Sequence, residues 1–247
     1  WDNIFSKIYT TKTGVHQGSV LAPVLFSIAI NDTIRACKKS KLGTIIVYAD
    51  DILIISRTRY ALQRLFSTIE CCLEDINLQV NEDKCNCIRV GRRFKEPCVP
   101  IKSLTGVDIA WADEVRYLGV YICGSVHFKS SPSELKKSFN RACNSILSKL
   151  LGRSSEDIIL HLVKVKCLPV LLYGSEVCNY PLYTLRSLDF CLIRFAMKIF
   201  RTANRDTAVF CLDSMGVLLP SVAVPLRQAR FGERLSLIDN CFCNVLL

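Results

Sequence analysis

The stretch Thr44-Ile45-Ile46-Val47-Tyr48-Ala49-Asp50-Asp51-Ile52-Leu53-Ile54-Ile55-Ser56 decides how this chain is read. Two apolar, β-branched runs flank an adjacent pair of aspartates. Runs of this kind, separated by two residues, predict a β-hairpin. Residues 44–49 are expected to pair antiparallel with residues 52–56, with Asp50 and Asp51 at the tip. As turn chemistry the pair is poor, because hairpin turns favour Asn-Gly or Asp-Gly where φ is positive. Neighbouring carboxylates also repel unless a cation neutralises them. Two readings therefore stand: a solvated acidic turn, or a site where hard carboxylate oxygens hold a divalent ion such as magnesium.

Upstream, Gly14-Val15-His16-Gln17-Gly18-Ser19-Val20-Leu21-Ala22-Pro23 is a glycine-bracketed loop that runs into a helix. Pro23 suits the first turn of that helix, where its missing N–H is not needed, and the helix is expected to reach about Lys38. The loop glycines allow a ligand close to the backbone, and the helix start presents N–H groups to anions. Downstream, Leu62, Leu65, Phe66, Ile69, Leu73 and Ile76 recur at helical spacing and predict an amphipathic helix over 58–75. A short strand over 87–90 is expected to close this zone.

Residues 97–128 set Pro97, Pro100, Gly106 and Gly119 between short Val-, Ile- and Tyr-rich runs, which predicts a small β meander with 115–122 as its clearest strand. From 133 to 205 the pattern turns helical. Leu135, Phe139, Ala142, Ile146, Leu147 and Leu150 form an apolar stripe, while Lys136, Lys137, Arg141, Lys149 and Arg153 cover the other faces.

The 247 residues are 50% hydrophobic and 22% charged, with only 11 Gly and 8 Pro, which excludes wholesale disorder and collagen-like repeats. The net charge is +10, and residues 133–205 alone carry 12 basic against 5 acidic side chains. Such a balance suits an anionic partner, either nucleic acid or an acidic membrane surface. The longest apolar stretch, residues 20–30, is far short of the ~20 residues a membrane span needs and contains Pro23 and Ser27. Fourteen cysteines raise the question of zinc. Cys85-x-Cys87 and Cys241-x-Cys243 lack knuckle spacing, and His16, His127 and His161 lie far from both pairs, so free thiols packed as small hydrophobes are expected.

In this order, the loop and the acidic hairpin resemble the palm of reverse transcriptases from non-LTR, LINE-like retrotransposons. That family has a Gly-x-x-Gln-Gly loop opening a helix and, about thirty residues later, a Tyr-Ala-Asp-Asp hairpin. Leu78-Gln79-Val80-Asn81-Glu82-Asp83-Lys84 resembles the next motif, a helix ending in Leu-x-x-Asn-x-x-Lys, and Tyr117-Leu118-Gly119-Val120 resembles the family's Tyr-Leu-Gly segment. The basic helices beyond Ser133 look like a thumb.

The resemblance implies an α+β fold: a partial palm over 1–128, a helical thumb-like region over 129–205, and an unassigned extension over 206–247. It implies RNA-directed DNA synthesis with two Mg2+ ions, or Mn2+ in their place. The implied partners are an RNA template, a DNA primer and deoxynucleoside triphosphates, with no membrane, and the implied location is the nucleus. Asp50 would be the principal metal ligand, assisted by Asp51. Gly14, Gln17 and Gly18 would position template and nucleotide, and Lys84 would orient or protonate the leaving pyrophosphate. Tyr48, Ala49, Tyr117, Leu118 and Gly119 would lie at the primer terminus. Lys84 reads equally as a solvated turn lysine, and Tyr117 and Leu118 as ordinary strand packing.

Two departures stand out. Ala22 replaces the serine usual before the proline. The strand carrying the family's first catalytic aspartate should precede Gly14, yet Asp2 has no hydrophobic strand before it. The chain is therefore expected to be partial and, by itself, inert in DNA synthesis. The alternative from another class is a non-catalytic nucleic-acid-binding remnant, against which the intact Asp50-Asp51 pair argues.

Overall fold

The computed structural model describes residues 18–238. They form two compact units: one runs to Cys87 and includes Pro97–Trp111, and the other takes Ile88–Glu96 and everything from Ala112. The division does not fall at the expected 128–129 boundary. The expected single meander over 97–128 is split between the units.

The first unit opens with helix α1 (Ala22–Ser40), with Pro23 in its first turn as expected. Strands β1 (Gly43–Tyr48) and β2 (Asp51–Ser56) follow as an antiparallel pair, and then helix α2 (Arg59–Glu74). The Thr58 hydroxyl caps α2 by accepting the Ala61 N–H at 3.2 Å. Leu65, Ile69 and Leu73 of α2 bury against Ile30 and Cys37 of α1, with Ile45, Val47, Ile52 and Ile54 of the hairpin packed on this core. The amphipathic spacing thus places α2 as the sequence predicts.

α2 ends within one residue of where that expectation puts it, but the motif that follows is not α-helical. Asn77 takes a left-handed conformation (φ 55°), the Leu78 N–H reaches back to the Leu73 carbonyl, and the Asn77 N–H reaches that of Glu74. This closure satisfies the last carbonyls and stops the helix. The Leu-x-x-Asn-x-x-Lys motif therefore lies beyond the helix, and Lys84 falls in a single 3₁₀ turn, Glu82–Lys84.

No strand forms over 87–90. Cys87 makes one isolated parallel bridge to Trp111, its N–H donating to the Ala110 carbonyl at 2.9 Å, before the chain leaves the unit. It returns as a two-stranded ladder, β3 (Ile101–Lys102) with β4 (Asp108–Ile109). Ile101 and Ile109 bury against Phe66 of α2. The Gln63 amide both donates to the Lys102 carbonyl (2.6 Å) and accepts its N–H (2.8 Å), pinning this edge to α2.

The second unit carries a three-stranded antiparallel sheet, β5 (Glu114–Tyr117), β6 (Val120–Cys123) and β7 (Lys129–Ser131). The expected strand over 115–122 is in fact a hairpin. Leu118 (φ 46°) and Gly119 (φ 81°) are both left-handed, and Tyr117 pairs with Val120 across them. That pattern makes a tight type I′ turn.

Helices follow: α3 (Ser133–Leu150), α4 (Glu156–Leu162), a π segment (Val163–Cys167), α5 (Leu168–Leu171) and α6 (Leu182–Ile199). Two more lie past 205, α7 (Arg205–Ser214) and α8 (Pro220–Ser236). Phe139, Cys143 and Leu147 of α3 share one core with Leu188, Leu192 and Ile199 of α6, and Ala208 and Leu212 of α7 belong to it. The residues left unassigned after 205 therefore continue the helical core as far as Leu219, and α8 packs against α6.

Candidate functional site

The hairpin places its acidic pair asymmetrically. Tyr48 pairs with Asp51, so the two turn residues are Ala49 and Asp50, and Asp51 is the first residue of β2. This corrects the expected tip by one position on each strand. The physical reason is the ladder beneath. The observed register sets Ile45 opposite Ile54, Ile46 opposite Leu53 and Val47 opposite Ile52. With Asp50-Asp51 as the turn, Ile45 would instead face Ser56 and lose an apolar partner.

The turn then requires positive φ at Ala49 (49°), which an alanine adopts at a cost of ~1–2 kcal/mol. Tyr48, Ala49, Asp50 and Asp51 are all exposed, while Val47 and Ile52 beneath them pack on the first unit's core. The result is a polar, accessible tip on an anchored base.

Two carboxylates adjacent in sequence and open to solvent are the kind of hard-oxygen donors a divalent cation takes. They fit such an ion as part of a coordination sphere. Among the described residues, no group of three or more His, Cys, Asp or Glu side chains converges to complete one. Asp32 of α1 is not a substitute, since its side chain is 90% exposed and sits 3.8 Å from Arg35.

The other predicted residues fall in three places. Gly14 and Gln17 lie outside the described residues. Gly18 is exposed at the turn leading into α1, with φ 87°. Lys84 is exposed on its 3₁₀ turn in the same unit as the hairpin, and its backbone carbonyl accepts from the Asn86 amide at 3.3 Å. Tyr117, Leu118 and Gly119 form the β5–β6 turn of the second unit.

Burial sets the thiol chemistry. It pushes the Cys37 and Cys87 thiols up to about 11, with Cys72 adding to the effect at Cys37, and Cys85 and Cys98 at Cys87. Both are free thiols and stay protonated at neutral pH.

One contact had no signal in the sequence. The Tyr173 hydroxyl donates to the Leu118 carbonyl at 2.9 Å, across 55 positions.

Residues 2–122 match the family described as reverse transcriptase (RNA-dependent DNA polymerase). Over those residues, just under half of the chain, it belongs to the reverse transcriptase family. Its relatives include the Pol polyprotein of the type-2 retrotransposable element R2DM of Drosophila melanogaster, 25% identical over 147 residues, covering 54% of this chain and 14% of the relative. The RNA-directed DNA polymerase of the mobile element jockey of Drosophila funebris is 26% identical over 188 residues, covering 71% and 20%. A type-1 R2 polyprotein of Nasonia vitripennis is 28% identical over 123 residues, covering 43% and 12%.

These relatives place this reverse transcriptase segment in the non-LTR, LINE-like branch, as the motif order implied. The chain spans a fifth or less of their length. No solved structure matches it. Reverse transcriptases work with divalent metal ions, and the exposed carboxylates of Asp50 and Asp51 suit that chemistry.

Proposed function

We propose that this chain is the catalytic-hairpin and duplex-holding part of an RNA-directed DNA polymerase, which adds deoxynucleotides to a DNA primer on an RNA template. The observation that carries the reading is the exposed Tyr48-Ala49-Asp50-Asp51 tip on a core-anchored ladder, inside the segment that matches the family. In the reaction the primer 3′-hydroxyl attacks the α-phosphorus of the incoming triphosphate, and pyrophosphate leaves. When bound, two Mg2+ ions, with Mn2+ as an alternative, lower the hydroxyl pKa and neutralise charge on the leaving oxygen.

Asp50 and Asp51 hold those ions, with Asp50 the principal ligand. Tyr48 and Ala49 lie on the primer side of the tip. Gly14, Gln17 and Gly18 position template and nucleotide, and the exposed Lys84 ammonium meets the departing pyrophosphate. Tyr117, Leu118 and Gly119 sit at the primer terminus. The basic helical surface holds the duplex by phosphate contacts, and the nucleus is the site of action.

Manganese titration followed by NMR tests the metal assignment without activity. Paramagnetic broadening should centre on the amides of 49–52 and disappear in Asp50→Asn, with the hairpin's other resonances unmoved. Broadening centred elsewhere would overturn it.

A further inference from the structure

The second unit holds the Leu118–Gly119 turn from outside its own hairpin. Leu118 is a γ-branched residue at φ 46°, and Gly119 follows at φ 81°. Left-handed backbone is unfavourable for leucine. The turn is met by the ring and hydroxyl of Tyr173, in the turn that follows α5. The hydroxyl donates to the Leu118 carbonyl at 2.9 Å. A Cβ at Gly119 would come within 2.9 Å of the Tyr173 ring, and a Cβ at Gly174 within 2.8 Å of a Val120 methyl. Each glycine leaves the space its opposite neighbour fills.

The far side of the Tyr173 turn is held by α8. The Gln228 amide donates to the carbonyls of Ser175 (3.2 Å) and Cys178 (3.0 Å). Arg227 pairs with Glu176, its Nε donating at 2.8 Å. At the start of α8, the buried Asp189 of α6 accepts the Ser221 N–H at 2.8 Å. A connected series of bonds thus runs from α6, through α8 and the 174–178 turn, to Tyr173 and the hairpin tip.

We infer that Tyr173 is a positioning residue that fixes the Leu118–Gly119 turn against the primer end, and that α8 keeps it in place through Gln228 and Arg227. The inference rests on the proposed primer-terminus role of Tyr117, Leu118 and Gly119. It gives residues beyond 205, outside the matched family segment, a task in aligning the primer. Tyr173 acts through the turn it holds.

Cross-linking and amide exchange on the full 247-residue chain, with hybrid affinity and Tm as controls, separate the inference from the reading beneath it. A DNA primer carrying a photoreactive thio-base at its 3′ end, annealed to RNA, should cross-link to residues 117–120. Tyr173→Phe deletes only the hydroxyl, and should lower that cross-link about three- to tenfold, the range for losing one hydrogen bond. Hybrid affinity and Tm should stay unchanged, while amide exchange across 117–121 quickens. Gln228→Ala should shift both readouts in the same direction by a smaller factor.

Equal cross-linking in the unsubstituted and Tyr173→Phe chains overturns the role of Tyr173 and leaves the primer-end reading standing. A missing cross-link at 117–120 in the unsubstituted chain overturns that reading, and the inference with it. Loss of hybrid affinity or Tm in Tyr173→Phe, in proportion to the lost cross-link, makes Tyr173 a stabilising residue only.

Discussion

Two hairpins of this protein, β1–β2 and β5–β6, solve the same local problem in different ways. Each closes on a two-residue turn, and each forces a residue other than glycine into left-handed backbone, Ala49 at 49° and Leu118 at 46°. The β1–β2 turn is set from below. A ladder of six residue pairs rests on α1 and α2, and the acidic tip is left exposed. The shorter β5–β6 ladder has four pairs, and a tyrosine 55 positions away holds its turn from outside. On the proposed function the first tip admits ions and nucleotides and cannot be covered, so its geometry has to come from its base. A tip that only has to stay still can be clasped.

The largest expected effect sits at the uncovered tip. In a polymerase carrying this segment, Asp50→Asn should lower primer extension by about three orders of magnitude, equivalent to several kcal/mol at ~1.36 per decade. Circular dichroism and hybrid binding should be retained, because charge is lost at almost constant shape. If Tyr173→Phe lowered extension as far, the distinction between an acting tip and a held tip would fail.

Next in size are the cores beneath the tips. Leu65 and Leu192 are both fully buried, and truncating either to alanine should cost about 2–5 kcal/mol. Hydrogen exchange checks the division into units. Leu65→Ala should speed exchange across 43–56 and spare 182–199, and Leu192→Ala should do the reverse. Equal loosening everywhere would mean that the two units unfold as one.

A smaller effect distinguishes the turns themselves. Ala49→Gly removes a left-handed penalty of ~1–2 kcal/mol and adds ~0.5–1 kcal/mol of chain entropy lost on folding, so urea unfolding should show no loss and a gain of up to about 1.5 kcal/mol. Leu118→Gly should gain less, since it also removes a side chain. Destabilisation at Ala49 would show that its backbone is held by contacts and not merely strained.

The smallest effect depends on pH. Burial raises the Glu70 carboxyl above its ordinary range, as do the nearby Glu82 and Glu74, while the Leu104 N–H it accepts offsets part of the rise. A raised folded-state value means that this group's stabilisation is present in acid and is lost as pH rises through that value. Glu70→Gln should therefore match the unsubstituted chain below the carboxylate range and melt slightly higher at neutral pH. A difference that grew in acid would carry the wrong sign.

What could be read locally was read correctly wherever one periodicity governed one face. The i, i+3, i+4 spacing of Leu62 to Leu73 gave a buried stripe, and the β-branched runs around Asp50 gave a hairpin. Reading failed where a turn needed left-handed backbone at residues that do not advertise it. Ala49, Asn77 and Leu118 each take positive φ: Ala49 moved the hairpin tip, Leu118 split one expected strand into two, and Asn77 left the Leu-x-x-Asn-x-x-Lys motif outside the helix.

By itself the sequence determined the order of the motifs, the adjacent acidic pair and the match of residues 2–122 to the reverse transcriptase family, because spacing along the chain and residue chemistry are local properties. Only the tertiary structure decided which residues share a unit, that 88–96 and 97–111 fall on opposite sides of that division, and that α7, past 205, joins the second core. Only the tertiary structure brought Tyr173 to Leu118. Its hydroxyl carries no signal of its target, since the bond forms between residues whose approach is set by the packing of everything between them.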